Sequence, residues 1–362
     1  MESIDDGSTG RERSVLDELL AALSETQFQH WYKERQYRKN IEEGTPHYNE
    51  SGFVPSPERH SPSKLLQCHR KITYQQCNAP AEQPEPKGIF WFGAQFETEI
   101  AIPFLRYAAT EQSTYVRNTD WIEYSVDTVD ESLEIKGSTD PVIVDSGAVP
   151  LLPTEIKTKQ SLNHVSSPMR HHTAQLHAYM VGLSEKYDID LTTGLIVYGS
   201  RESLEIQTFE IEFNERFWND VVLDWATDHT KHRLQEDLPP AKPESNWECK
   251  FCSYRERCGK GTTSYDDAGV SGFLPGFTGY PRARVIEYLE GNPDAVLTPA
   301  LALQYPDLAE RYEVADWYCD ACSSRIEWDV VTSATEPLCP HCAEEGELTV
   351  LSRPPQQHQV DE

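Results

Sequence analysis

Asp140, Glu155 and Lys157 are the residues of this chain best placed to do chemistry together. Asp140 lies in the run LEIKGSTDPVIVD, and Glu155-Ile156-Lys157 lies in VPLLPTEIKTK, fifteen positions further on (155 − 140). Both runs read as strands. Residues i and i+2 of a strand share a face, so Glu155 and Lys157 point one way and Ile156 points into the core. A hairpin between the two runs brings Asp140 beside them. Two carboxylates and a neighbouring backbone carbonyl make a hard, oxygen-rich site suited to Mg2+ or Mn2+. Such an ion promotes phosphodiester hydrolysis by polarising a phosphoryl oxygen and lowering the pKa of a water. Lys157 would position that water and oppose charge developing on the phosphate. Alone, D-x14-E-x-K is a weak signal, because alternating Glu and Lys on a strand is usually a solvated face. Its neighbours add weight: Glu97, four residues after Gly93, is a further candidate ligand, and Gln175 and Tyr179, at i and i+4, share one helical face.

The chain has nine cysteines, and most fall in close pairs, which argues for metal rather than disulfides. Cys319, Cys322, Cys339 and Cys342 form C-x2-C-x16-C-x2-C, two knuckles able to meet tetrahedrally around one Zn2+ as a zinc ribbon. Cys249, Cys252 and Cys258 form C-x2-C-x5-C, while Cys68 and Cys77 stand alone towards the N-terminal end.

The elements that must position these residues follow from periodicity. Residues 14–40 carry Leu16, Leu19, Leu20 and Leu23 at helical spacing. SPSKLLQCHRKITYQQC reads as a short helix entered through Ser61-Pro62-Ser63, and IFWFGAQFETEIAIPFLRYAA as a long amphipathic one. Three strands follow (STYVRNTDWIEYSV and the two runs above), then a helix (MRHHTAQLHAYMVGL), two more strands (TTGLIVYGS, LEIQTFEIEF) and a helix (NERFWNDVVLDWATDHTKHRLQ). This order predicts an α/β core with a mixed sheet. A Gly- and Ser-containing linker begins after Cys258, and residues 281–312 look helical. The expected organisation is an N-terminal helical segment (1–57), a main domain (58–260), a linker with short helices (261–312) and the ribbon (313–352).

At 362 residues, 60 acidic and 32 basic groups give a net charge of −28, with the acids spread along the whole chain. Affinity for phosphates normally comes from Lys and Arg, so this balance is a general surface property. It fits a halophilic source with a cytoplasm of very high salt, where self-repulsion is screened within about 3 Å at ~1 M. A local basic set, Lys157, Lys159, Arg170, Lys250, Arg255, Arg257 and Lys260, offers a phosphate track, while His171 and His172 read as solvated histidines before a helix. No apolar run approaches the ~20 residues that span a bilayer. The opening MESIDDGSTGRERS has neither the basic start nor the apolar block of a secretion signal, so the expected location is cytoplasmic with no membrane partner. There is no G-x4-G-K-[ST] motor loop. Any unwinding must come from a partner, or the strand must already be single or frayed.

The ordered set Cys68, Gly93-x3-Glu97, Gly137-x2-Asp140, Glu155-x-Lys157, Gln175-x3-Tyr179 and Cys249-x2-Cys252-x5-Cys258 resembles the RecB-like branch of the PD-(D/E)xK nucleases. It is most similar to the iron-sulfur members associated with CRISPR adaptation and with end-processing helicase-nucleases. The likeness covers roughly residues 60–260. It implies a restriction-endonuclease-like core and a metal-dependent DNA nuclease, an exonuclease on single-stranded or frayed ends, working in CRISPR spacer acquisition or recombinational repair. It puts metal binding and water activation on Asp140, Glu155 and Lys157, and gives Gln175 and Tyr179 support of the site or DNA contact. Relatives often carry His where this chain has Glu97. The resemblance assigns Cys68, Cys249, Cys252 and Cys258 to a four-iron four-sulfur cluster. Four thiolates also suit a structural zinc, and Cys77 is an alternative to Cys68. Helicase or CRISPR adaptation proteins are the implied partners. A different class, a non-catalytic DNA-end-binding or assembly adaptor, would keep the metal sites as scaffolds without needing the complete acid, acid, lysine set.

Overall fold

The computed structural model describes residues 15, 17–42, 54–77, 79–82, 87–110, 112–261, 274, 276, 278–291, 295–334 and 337–351. Two compact units divide the chain, Met1–Phe53 and Val54–Glu362. In the first, the helix expected over 14–40 is interrupted at Leu23-Ser24: residues 17–22 are helical and α1 (Glu25–Glu42) follows, with Leu19, Leu20 and Leu23 exposed. Leu16, the polar stretch 43–53 and most of the linker after Cys258 lie outside the described residues.

The second unit is an α/β fold whose central mixed sheet has five strands. These are β2 (Tyr115–Arg117), β5 (Val142–Val144), β6 (Pro150–Lys159), β7 (Thr193–Ser200) and β8 (Ile206–Glu212) in the order β2-β5-β6-β7-β8. Only β6 and β7 run parallel. Such a pair needs a crossover connection. The helix α5 (Arg170–Tyr187) supplies it. A second sheet orders β1 (Arg59–His60), β4 (Ser132–Ser138) and β3 (Trp121–Asp127) as β1-β4-β3.

One predicted strand is two in the structure. The run LEIKGSTDPVIVD pairs with β3 as far as Ser138, and from Val142 it pairs with β6 in the other sheet. The break falls at Thr139-Asp140-Pro141. Proline has no N–H for a ladder and restricts the residue before it, so Asp140 lies at the point where the chain changes sheets.

The long predicted helix is also interrupted. α3 (Lys87–Phe96) passes through a π turn, Glu97–Ala101, into α4 (Ile102–Thr110). Pro103 cannot donate to the turn before it, and a π turn absorbs the missing bond. The segment expected as one helix around Cys68 is likewise broken. A 3-10 turn at Pro62–Lys64 is followed by Leu66 at φ 57°, and α2 (His69–Gln76) starts only after Cys68, its N-cap.

α5 is buried on nearly every side because both sheets flank it. On one face Leu176 meets Gly194 of β7; on another Gly182 meets Tyr124 and Ile122 of β3, and the Tyr124 hydroxyl donates to Ala178 O at 3.0 Å. A Cβ at Gly182 would lie 2.7 Å from Tyr124 Cε1 and 2.9 Å from Ile122 Cβ. Overpacking costs ~1–3 kcal/mol, against a helix-propensity gain of about 1 kcal/mol for alanine. Gly182→Ala is therefore expected to lower stability by roughly 1–2 kcal/mol in urea unfolding; a rise would mean the two sheets are not clamped on this helix.

Beyond β8 the chain forms α6 (Glu215–Phe217), a π turn, α7 (Asp224–Leu234) and a 3-10 turn at Asn246–Phe251 carrying Cys249. After α8 (Arg282–Gly291), α9 (Pro299–Gln304) and α10 (Pro306–Ala309) comes a small C-terminal element with the character of a zinc ribbon. It pairs β9 (Trp317–Tyr318) with β10 (Arg325–Ile326) and ends in α11 (Pro340–Glu344). No helix of the described residues is long and apolar enough to cross a membrane.

Candidate active site and metal centres

The strand β6 carries Glu155, Ile156 and Lys157, and the expected alternation holds. Ile156 packs with Phe96, Ala101, Leu105 and Val197 on one face of the sheet. Glu155 is wholly buried, and its carboxylate contacts the Lys157 ammonium. Neither Glu155 oxygen receives a well-directed hydrogen bond. Asp140 is fixed by the backbone: Ile156 N donates to its Oδ2 at 2.8 Å. Two positions earlier on the same edge, Thr154 N and Oγ1 donate to Pro141 O at 3.0 and 2.6 Å. β5 leaves β6 at this point, so the Asp140 carboxylate takes the ladder's place and keeps Oδ1 for another partner.

From α5, Gln175 Nε2 donates to the Tyr179 hydroxyl at 2.5 Å, both side chains buried, with Tyr179 close enough to Glu155 to act on its charge. Burial, then the Asp140 charge, raise the Glu155 carboxyl well above the usual range, while Lys157 opposes them. Burial works against the Lys157 charge, but Glu155 and Asp140 outweigh it and raise its pKa. Glu97, at the start of the π turn, is pushed up to about 7 by burial and by Asp140, against the pull of Lys157. The structure thus gathers Glu97, Asp140, Glu155 and Lys157 in one electrostatic neighbourhood, with Gln175 and Tyr179 behind it.

A divalent cation fits this donor set: hard oxygens, a buried carboxylate whose one charged partner is Lys157, and a fixed carboxylate with one oxygen spare. Between the ordinary pKa of 4.5 and about 7, folded Glu97 holds a proton that the unfolded chain has lost, so stability falls as pH rises through that window. Glu155 extends the trend upward. In metal-free protein the melting temperature should fall across this range, and Mn2+ should raise it more at about pH 8 than at about pH 5. An equal Mn2+ effect at both pH values in a calorimeter would take these carboxylates out of the site.

Cys68, Cys249, Cys252 and Cys258 line one cavity of about 740 Å3, together with Lys157 and Lys159. Cys77 lies outside it, at the C-cap of α2 near Tyr288. The loop through Cys249–Cys258 is tied down by Glu82, whose carboxylate accepts Glu256 N at 3.0 Å and Arg257 N at 2.9 Å. Arg255 and Lys260 of the expected basic track line the cavity, joined by Arg70, Lys71 and Arg201. Arg257 does not: it is 1% exposed and its guanidinium lies 4.6 Å above the Tyr74 ring. His172 is also corrected, being 8% exposed rather than solvated. No sequence pattern points to its buried partner Tyr198 or to Glu244, which holds the start of α5 by accepting Arg170 N at 2.9 Å and pairing with His171 Nδ1 at 2.7 Å. Nothing in the loop sequence EDLPPAKPES marks Glu244 for that task.

At the C-terminal end Cys319, Cys322, Cys339 and Cys342 have their sulfurs within 4.8 Å of one another, and they are the one such ligand group among the described residues. Cys319 Sγ lies 3.7 Å from Cys342 Sγ, and Cys322 Sγ 3.7 Å from Cys339 Sγ. Four 2.3 Å zinc–sulfur bonds at tetrahedral angles require an edge of about 3.8 Å, so these four cysteines form a cluster able to bind a metal ion.

A mixed sheet between helices, with a parallel pair joined through α5, defines a restriction-endonuclease-like fold. The chain belongs to the PD-(D/E)XK nuclease superfamily, whose family model matches residues 1–259. The crystal structure of SSO0001 is similar at 21% identity with a TM-score of 0.43, covering 64% of this chain and 98% of that one. No curated protein matches the chain.

Proposed function

We propose that this protein is a Mg2+- or Mn2+-dependent deoxyribonuclease, an exonuclease on single-stranded or frayed ends serving CRISPR spacer acquisition or recombinational repair. The observation that carries this reading is the wholly buried Glu155 carboxylate, set beside the Asp140 carboxylate and paired with Lys157. A group this costly to bury is retained where a cation will meet it. Asp140, Glu155 and Glu97 are the residues that would hold the ion, which when bound supplies Lewis acidity and lowers the pKa of a water. Lys157 orients that water and opposes charge on the phosphate. The Ile156 N–H keeps Asp140 turned towards the site, and Tyr179, braced by Gln175, packs behind Glu155.

The nuclease domain would span residues 58–260. Cys68, Cys249, Cys252 and Cys258 would hold a four-iron four-sulfur cluster, joining positions 181 apart (249 − 68) and so closing the domain. The C-terminal cysteines would take Zn2+. A helicase or CRISPR adaptation protein would supply the strand, and the acidic surface fits work in a halophilic cytoplasm.

Digestion of 5′- and 3′-labelled single- and double-stranded DNA with Mn2+ at high salt tests the reading. Wild type should shorten single strands from an end, while Glu155→Ala and Lys157→Ala should lose roughly 100-fold or more. Equal activity in all three would show that the chemistry lies elsewhere.

A further inference from the structure

His172, the third residue of α5, lines the same cavity as Lys157, Lys159 and Arg201. Its Nδ1 lies 2.7 Å from the Tyr198 hydroxyl. That hydroxyl already accepts Met169 N at 3.0 Å, and Tyr198 is fully buried. A phenol has one proton to give. Among the described residues, the one acceptor in reach of it is His172 Nδ1. Leaving the proton without an acceptor would cost ~1–3 kcal/mol, so Tyr198 donates, Nδ1 accepts, and the proton of the neutral ring sits on Nε2. Nε2 has no hydrogen-bond partner among the described residues. Burial, His171, Lys157 and Lys159 together hold the ring uncharged, with its pKa down at about 2. Lys159 also lies over the Tyr198 ring, 4.7 Å from its centre, which fixes the phenol from the other side.

We propose that His172 Nε2–H is a substrate-binding donor to a non-bridging phosphate oxygen of single-stranded DNA held in this cavity. The assignment rests on the nuclease reading and adds to it a named contact that carries no charge. Phosphate is the class of ligand because the neighbouring groups, Lys157, Lys159 and Arg201, are all cationic donors, and Arg201 Nε is itself buried without a partner among the described residues.

The test measures binding of an oligothymidylate single strand in Ca2+ and its cleavage in Mn2+. His172→Phe should weaken binding about ten-fold and raise KM by a similar factor, with kcat nearly unchanged. His172→Gln, whose amide nitrogen can stand where Nε2 stood, should recover most of the loss. The slope of log affinity against log salt should be the same in His172→Phe as in wild type, because no cation is removed. Lys159→Ala should flatten that slope by about 0.7. A single uncharged methylphosphonate linkage, scanned along the strand, should weaken wild type at one position to which His172→Phe is indifferent. Wild type that neither binds nor cleaves overturns the nuclease reading along with this assignment. Wild-type cleavage with unchanged binding by His172→Phe, or equal loss in the Phe and Gln variants with no indifferent linkage, overturns the assignment alone.

Discussion

Glu155→Gln is expected to stabilise the metal-free protein while removing its activity. The carboxylate is fully buried, lacks directed hydrogen bonds and faces the charge of Asp140, so above neutral pH its ionised form is a burden on the fold. Glutamine keeps the shape and drops the charge. Lys157 stays compensated, since Asp140 and Glu97 also support its ammonium. At about pH 8, without divalent ions, the variant should unfold at a higher temperature than wild type, by an amount on the order of 1 kcal/mol or more. Its Mn2+-dependent cleavage should fall at least ~100-fold, and the stabilising effect of Mn2+ should shrink. The opposite signs are the diagnostic feature, because a substitution that damaged packing would lower both quantities. A variant less stable than wild type would show that local contacts, rather than a cation, satisfy Glu155.

The second large effect concerns the C-terminal element. Its core consists of Ala300, Trp317, Cys319, Ile326, Val331, Cys339, Cys342 and Leu351, so three of the eight buried residues are themselves candidate ligands. A core that small cannot hold the segment by apolar burial. Metal binding supplies of the order of 10 kcal/mol in comparable sites. One zinc per chain is expected by elemental analysis. Stripping it, or introducing Cys339→Ser, should abolish amide-exchange protection at Cys319, Cys339 and Leu351, whose N–H groups bond to Ser324, Thr349 and Pro337. The strands β6 and β7 should keep theirs. Persistent protection at those three amides after the metal is gone would mean that packing alone suffices.

Much of the site was legible because strand alternation is a strict period. Glu155 and Lys157 oppose Ile156 as their spacing requires, and Gln175 and Tyr179 touch because i and i+4 meet on a helix. The four C-terminal cysteines converge for the same kind of reason, two short knuckles with fixed reach. What periodicity missed was tertiary. Apolar alternation carries on across Asp140-Pro141, so the passage between sheets looked like one strand. His172 sits at a helix start, where side chains are commonly wet, yet it is buried and bonded to the β7 residue Tyr198. Arg257 belongs to a basic run, yet the ring of Tyr74, 183 positions upstream (257 − 74), draws it inward. Such burial depends on partners far away in the chain, and no local pattern encodes it.

Asp140 is carried at a junction. The three-stranded sheet reaches it through β4, and the five-stranded sheet through β5. The Ile156 N–H nonetheless ties its carboxylate to β6, the strand that carries Glu155, so the junction is riveted to the five-stranded sheet. The two carboxylates ride together on that one strand, like two teeth cut on the same bar, whatever the three-stranded sheet does.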